Sequence, residues 1–294
     1  MKIALPAQFQ ASAIFPLVWS TLGDLSELPP IVEFDFSELK FARPSGVVFL
    51  SNLSRFLTRR KCDVRFVNMR PNTEAIRFLD DALFFEQHIG EKLRQWSKPR
   101  RTTQPLQEVS HKNSHAWLRS EFMPWLSDCS GVPMGNLSDL TTCIGELFNN
   151  INDHSSYDVG CIFAQWFPKK DLVEISIADF GSGIPETVRR IEPGLSDNDA
   201  IIRAFDDGFS SQSTPRNRGV GLHLLHQNVV ERFDGKISVR SQSGAVWYAR
   251  HGNSLRTVPY KADGFCPGTM IDIDFRTDLI DVDEPADGLE VEWW

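Results

Sequence analysis

Hydrophobic and polar residues follow two different periods in residues 31–90. The segment IVEFDF at 31–36 alternates like a strand, and DVRFVNM at 63–69 is a second strand candidate. Between them Pro44 occupies a position that the first turn of a helix tolerates, and Asn72 is placed to cap a further helix. Apolar residues follow Pro44 at helical spacing: Val47, Leu50, Leu53 and Leu57. The pattern predicts alternating strands and helices, as in an α/β unit.

A second pattern begins near residue 136. Residues 136–154 and 221–233 each predict an amphipathic helix. The segments CIFAQWF at 161–167 and LVEISIADF at 172–180 flank the turn PKKD and predict a hairpin. Further strands are predicted at KISVRSQ, AVWYARH and GTMIDIDFR. The last of these alternates most clearly, with apolar Ile271, Ile273 and Phe275 between acidic Asp272 and Asp274.

Composition narrows the class of protein. The chain has 294 residues, which at roughly 100–200 residues per domain predicts two domains. Apolar residues make up 41% and charged residues 24%, which excludes a wholly disordered chain. No apolar run reaches the ~18 residues of a membrane-spanning helix, so no membrane association is expected. The net charge of −8 argues against a large nucleic-acid interface. The five scattered cysteines include no CxxC pair and fit a reducing, cytoplasmic location.

Charge also marks two segments. Residues 92–119 hold seven Lys or Arg against one acid, Glu108, and are interpreted as a solvated linker or, alternatively, a patch for nucleic acid or anionic lipid. The tail 278–294 has seven acids and no base. The chain is therefore divided into residues 1–90, a linker or helical connection at 91–135, a second domain at 136–277 and this acidic tail.

The predicted helix 136–154 carries the first candidate functional residues. Glu146, Asn150 and His154 are four residues apart, and each step of four turns the helix by only about 40°, so the three share one narrow stripe. That stripe lies beside the apolar face, where the floor of a pocket would be. A solvated helix face is the alternative interpretation.

Two glycine-containing motifs follow. Asp179-Phe-Gly181-Ser-Gly183 ends a predicted strand; it can hold a carboxylate in a cleft, where the exocyclic amine of adenine is one candidate donor, or it is a simple turn. Arg218-Gly219-Val220-Gly221 opens a helix, whose free N–H groups and dipole favour an anion. Residues 206–218 between them are polar and end in Arg216 and Arg218, which suits a lid over phosphates or an ordinary surface loop.

The order and spacing of these motifs resemble the GHKL ATPase superfamily, which includes gyrase B, MutL, histidine kinases and anti-sigma-factor serine kinases. The resemblance covers roughly residues 136–276, and Pro267-Gly268-Thr269 is similar to the Gly-Thr motif of the same fold. It implies a Bergerat-type α/β sandwich, with a mixed sheet and helices on one face, that binds ATP and Mg²⁺. A phospho-accepting histidine kinase hairpin is not expected, because prolines and Gly131 interrupt the region around His111 and His115.

The resemblance also implies roles for individual residues. Glu146 matches the general base that activates water in the ATPases or the acceptor hydroxyl in the kinases. Asn150 matches the Mg²⁺ ligand, Asp179 the adenine-recognising acid, and Thr269 a position that supports adenine recognition. His154 resembles a residue at the same spacing in the serine-kinase branch. Alternatively, it has a structural role. The bends that wrap the nucleotide correspond to Gly181, Gly183, Gly219 and Gly221, with Arg218 as a further candidate nucleotide contact.

Residues 1–90 resemble a second family. Their order of strand, FARPSGVVFL, helix, strand and helix is similar to a STAS domain, the fold of anti-sigma-factor antagonists. Ser45 falls where that family is phosphorylated and is a candidate phosphoacceptor, although Arg43-Pro44 replaces the usual Asp-Ser before it. The expected function is a Mg-ATP-binding regulatory protein, either a slow ATPase or a serine/threonine protein kinase, with a protein partner and a homodimer as expected assemblies. The alternative is a nucleotide-gated protein-interaction module with little or no turnover.

Overall fold

Strands and helices alternate through residues 1–90 of the computed structural model, which describes residues 1–23, 26–154, 159–209, 221–261 and 264–280. The elements in this region are β1 (Lys2–Ala4), β2 (Gln8–Phe9), α1 (Ala11–Leu22), β3 (Ile31–Asp35), β4 (Phe41–Ala42), α2 (Pro44–Arg59), β5 (Asp63–Val67), α3 (Glu74–Asp81) and α4 (Phe84–Ile89). The predicted strands at 31–36 and 63–69 and the helix beginning at Pro44 are confirmed. The predicted cap is wrong by one residue, since Thr73 rather than Asn72 precedes α3.

The N-terminal sheet is parallel, in the order β1-β3-β5. Its central positions align Ile3 with Phe34 and Phe34 with Phe66 across the three strands. All three side chains are buried. The separate strands β2 and β4 pair in parallel and bring residues 8–9 beside the start of α2.

The rest of the chain forms one large sheet and its helices. Its elements are β6 (Thr103–Ser110), α5 (His111–Trp117), α6 (Met123–Ser130), α7 (Ser138–His154), β7 (Val159–Phe167), β8 (Leu172–Asp179), α8 (Ile184–Arg189), α9 (Asp197–Ala204), α10 (Gly221–His226), β9 (Lys236–Gln242), β10 (Gly244–His251), β11 (Ser254–Pro259) and β12 (Cys266–Arg276). A π-helical turn, Gln227–Arg232, continues α10, so the helix predicted at 221–233 is confirmed with an irregular second half.

The large sheet has seven described strands in the order β11-β10-β9-β12-β8-β7-β6. The predicted α/β sandwich is confirmed, but the expectation of a mixed sheet is wrong for these strands, whose pairings are all antiparallel. Three of the six pairings have a local reason: the hairpin β7–β8 and the meander β9–β10–β11 join neighbouring strands by short turns, whereas parallel neighbours need a long crossover.

The segment 91–135, expected as a linker or helical connection, contributes to this sheet and its core. Strand β6 pairs with β7 at the sheet edge. Leu118, Phe122 and Leu126 are buried in the same cluster as the apolar face of α7. No helix in the described ranges is long and apolar enough to cross a membrane.

Both faces of strand β8, which lies between β12 and β7, are covered. Side chains alternate along a strand, and Ile175 and Ile177 belong to the core formed with α7, while Ala178 belongs to the core of the N-terminal region. Helix α2 packs on that second face, where Phe49 and Phe56 lie against Phe180. The helices of residues 136–277 thus cover one face, and the N-terminal region covers part of the other.

Candidate functional site

Glu146 lies at the edge of the core, as the stripe on α7 predicts. Its side chain is partly buried, and Asn149 Nδ2 donates to its Oε1 at 3.3 Å. Asn150 and His154 lie four and eight residues further along the same helix. Their side chains fall outside the described part of the structure, and their roles remain proposals.

The start of α10 lies against Glu146. A Cβ atom at Gly221 would stand 2.7 Å from Glu146 Cβ and 3.3 Å from its Cγ, distances that only glycine avoids. The third sequence motif is therefore brought to the first, 75 residues earlier in the chain, with the helix N-terminus beside the carboxylate. Arg216, Arg218 and Gly219 fall within residues 210–220, outside the described ranges, as does most of the predicted lid.

Asp179 closes β8 on the same face of the sheet as α7. Only 8% of the residue is exposed, and its Oδ1 accepts from the Gly181 N–H at 2.6 Å. Burial raises the pKa of this carboxyl to about 7, although hydrogen bonds from the backbone of Gly181 and Thr269 act in the opposite direction. Thr269 faces Asp179 directly across the β8–β12 pair. A carboxylate can accept about four hydrogen bonds, so Asp179 retains capacity for a further donor.

The turn after Asp179 is held by β9 and β12. Gly183 and Gly268 both have positive φ, at +82° and +71°. A Cβ on Gly268 would overlap the Asp179 carbonyl oxygen and lie 2.6 Å from Gly181 N. This close approach of two backbone segments fixes the position of the loop that begins at Asp179.

Two supporting residues escape the sequence-based prediction. The Ser241 hydroxyl donates to Gly268 O at 2.6 Å and accepts from Ile184 N at 3.0 Å, and Thr269 Oγ1 lies 3.1 Å away. Gln242 Nε2 donates to Ser182 O at 2.9 Å. The sequence pattern could have identified Ser241, because it occupies the third inward-facing position of β9, after the apolar residues Ile237 and Val239.

The described residues of the three motifs thus lie on the helix-covered face of one sheet, where Gly221 stands against Glu146 and Asp179 lies beside Thr269. Residues 135–257 match the family model of histidine kinase-, DNA gyrase B- and HSP90-like ATPases. The chain therefore contains a GHKL-type ATP-binding domain, of which Glu146, Asp179 and Gly221 lie in the matched range. Strand β12, with Thr269, lies beyond it. The comparison with curated proteins finds no match.

The described part of this GHKL domain contains no cluster of metal-ligating side chains. Among the described side chains, no group of three or more His, Cys, Asp or Glu residues could hold a metal ion. Magnesium in nucleotide sites takes only one or two protein ligands and otherwise binds phosphates and water. A Mg²⁺ ion bound together with ATP therefore needs no cluster of protein ligands.

Ser45 lies apart from the nucleotide site. Its Oγ accepts from Ala11 N at 3.1 Å at the start of α2, and it shares a cavity with Glu174 and Ser176, which project from the opposite face of β8 to Ile175 and Ile177. The sheet therefore separates Ser45 from Glu146 within one molecule.

Proposed function

We propose that this protein is a Mg-ATP-dependent regulatory protein whose GHKL domain acts as a slow ATPase or a serine/threonine protein kinase. The observation that carries the proposal is the contact between Glu146 and Gly221. It sets a carboxylate beside a helix N-terminus, where backbone N–H groups and the helix dipole favour phosphate.

Each end of the nucleotide has its own contacts in this proposal. Asp179 accepts a hydrogen bond from the exocyclic amine of adenine, and the turn at Gly181 and Gly183 lets the backbone approach the base. The phosphates lie at the start of α10. Asn150 would hold Mg²⁺, which would supply positive charge against the phosphates, and Glu146 would take the proton of the attacking oxygen.

The attacking oxygen belongs to water or to a hydroxyl of another protein. Transfer to Ser45 within the same molecule has no support in the geometry, because the seven-stranded sheet stands between Ser45 and Glu146. A kinase reaction would therefore use a partner's hydroxyl, or Ser45 of a second copy in a homodimer.

A second candidate function is a nucleotide-gated interaction module with little turnover, and Phe180 favours it. This residue stands between Asp179 and Gly181, and its ring centroid lies 6.2 Å from that of Phe49 and 5.6 Å from that of Phe56. Ordering of the loop 179–183, named the adenine loop here, would thus reach the STAS-like N-terminal region, where a protein partner would bind.

Turnover separates the two functions. Phosphate release and transfer of label from γ-labelled ATP to protein are measured on the full chain with Mg²⁺. Glu146→Ala should bind ATP but turn over at least ~100-fold more slowly, the lower end of general-base contributions. Glu231→Ala, which removes an exposed carboxylate from the helical stretch after Gly221, is the matched control and should keep the wild-type rate.

The outcomes are distinct. Phosphate release without label indicates an ATPase, and label that disappears in Ser45→Ala indicates transfer between copies. A wild-type protein that binds ATP tightly without either product would refute the enzyme and leave the interaction module. Absence of ATP binding would refute both.

A further inference from the structure

A cavity of about 380 Å³ lies between the N-terminal region and the large sheet, on the face opposite Glu146. Its floor is formed by β8, β12 and β9, and its roof by the first residues of α1 and α2. This volume is within the roughly 300–1,000 Å³ of small-molecule sites. Of its lining residues, the proposed nucleotide chemistry involves only Ser45, as an acceptor presented to a second copy.

The floor carries acidic side chains in adjacent rows. Glu174, Asp274 and Lys236 are aligned across β8, β12 and β9, and Asp272 stands in the next row between two serines. Glu174 is 5% exposed and pairs with Arg43 from the roof. Ser176 Oγ donates to Asp272 Oδ1 at 2.6 Å. A buried carboxylate is costly unless it is paired, and burial raises the pKa of both Glu174 and Asp272 to about 7. These groups would gain from a cationic donor.

Arg240, on the same floor of the cavity, needs an acceptor rather than a donor. Its guanidinium is held over the rings of Phe15, at 5.1 Å, and Tyr260, at 5.5 Å. Within the part of the chain that the structure describes, its buried Nε–H has no hydrogen-bond partner. A buried donor without an acceptor costs free energy. Helices α1 and α2 also begin at the cavity, so their positive ends face it, and Ser45 Oγ already accepts from Ala11 N at the start of α1. This side of the cavity would gain from an anionic acceptor.

We propose that the cavity binds a free α-amino acid, with its ammonium group at Asp272 and Asp274 and its carboxylate at Arg240 and the start of α1. Arg240 faces Met270 across the strand pair, and Asp272 lies two residues further along β12. Such diagonal neighbours are about 7–8 Å apart. The ammonium and carboxylate groups of one amino acid can bridge this distance, because the side chains of Asp272 and Arg240 extend toward the ligand from either end.

The balance of charges selects a zwitterion over simpler ligands. The charged lining residues of the cavity comprise three acids and three bases: Glu174, Asp272, Asp274, Arg43, Lys236 and Arg240. A simple cation would leave the Nε–H of Arg240 without an acceptor, and a simple anion would bring no ammonium group to Asp272 and Asp274. A metal ion is not favoured, because the described side chains form no group of three metal ligands.

The test uses the full chain without nucleotide and the twenty standard α-amino acids, by calorimetric titration and thermal melting. We expect at least one to bind and to raise the melting temperature. The corresponding amine, which lacks the carboxylate, and the corresponding carboxylic acid, which lacks the ammonium, should each bind about 10- to 100-fold more weakly, since each loses a charge-assisted contact. Binding of none of the twenty would overturn the proposal. Equal binding of the amine or of the acid would overturn it in favour of a cation or anion site.

Substitutions of cavity residues test whether the amino acid binds in this cavity. Asp272→Asn and Arg240→Lys should each weaken amino-acid binding at least ~10-fold, with ATP affinity unchanged because both side chains lie on the face opposite Glu146. Asp278→Asn removes an exposed carboxylate that pairs with Arg276 and is the matched control. ATP affinity also reports whether each variant is folded. Unchanged amino-acid binding in both cavity variants would refute the assignment, and the amine and acid probes test it without any variant.

Discussion

Gly268→Ala is the substitution to which the adenine loop should respond most sharply. Gly268 has a φ of +71° and lies where a Cβ would overlap the Asp179 carbonyl oxygen and stand 2.6 Å from Gly181 N and 2.7 Å from Phe180 Cα. All three neighbours are backbone atoms, so no flexible side chain can move aside.

The magnitude follows from two separate costs. The left-handed conformation costs a residue with a Cβ about 1–2 kcal/mol, and forcing an extra carbon into packed surroundings costs about 1–3 kcal/mol more. Gly268→Ala should therefore lower the free energy of unfolding by about 2–5 kcal/mol. Gly252→Ala is the matched control, since Gly252 has a φ of +59° but nothing within 4 Å of its Cβ position. It should lose only the first ~1–2 kcal/mol.

Chemical denaturation without nucleotide measures both variants, and ATP titration measures the consequence for the site. Gly268→Ala should also weaken ATP binding, because relief of the overlap displaces Asp179 and Gly181. Glycine replacement stiffens the unfolded chain equally in both variants, so that effect cancels in their difference. Equal losses of stability in Gly268→Ala and Gly252→Ala would refute the close approach as the reason for the glycine.

Two further predictions concern the same loop. With a pKa of about 7, Asp179 is about one-tenth ionised at pH 6 and nine-tenths at pH 8, so ATP affinity should rise by about tenfold over that range; in Asp179→Asn only the titration of ATP itself should remain. The same raised pKa means that the folded chain keeps a proton that the unfolded chain has released, so stability should fall as the pH rises from about 4 to about 7, with a shallower slope in Asp179→Asn. Phe180→Ala should lower the free energy of unfolding by less than the ~3–5 kcal/mol that is lost with a fully buried ring. It should also abolish any ATP-dependent change in hydrogen exchange along α2. Phe56→Ala should also abolish this change in hydrogen exchange, whereas Trp96→Ala, at an exposed position, should leave it intact. If α2 still shows an ATP-dependent change in Phe180→Ala, coupling through this ring is contradicted.

Local periodicity and motif spacing determined most of the individual elements. Each of these elements is predicted by residues that are close together in the sequence. This is true of strand β8, of the helix from Pro44 and of the helix that carries Glu146. The GHKL motifs could be recognised for the same reason, because each is a short run of residues. Strand order and direction were not available in this way, since β12 pairs with β8 and β9 through residues that are between 24 (Cys266 and Gln242) and 104 (Arg276 and Leu172) positions apart.

Only the tertiary structure decided what covers each face of the sheet. Alternation along β12 separates Asp272 and Asp274 from its apolar residues, and polar positions of a strand are ordinarily expected to face solvent. In the folded chain they instead line the cavity under α1 and α2. The pairing of Arg43 with Glu174, 131 positions later, belongs to the same contact. Side-chain alternation assigns residues to two faces, but the surface that meets each face is chosen by contacts between distant segments, and a single sequence carries no local record of them.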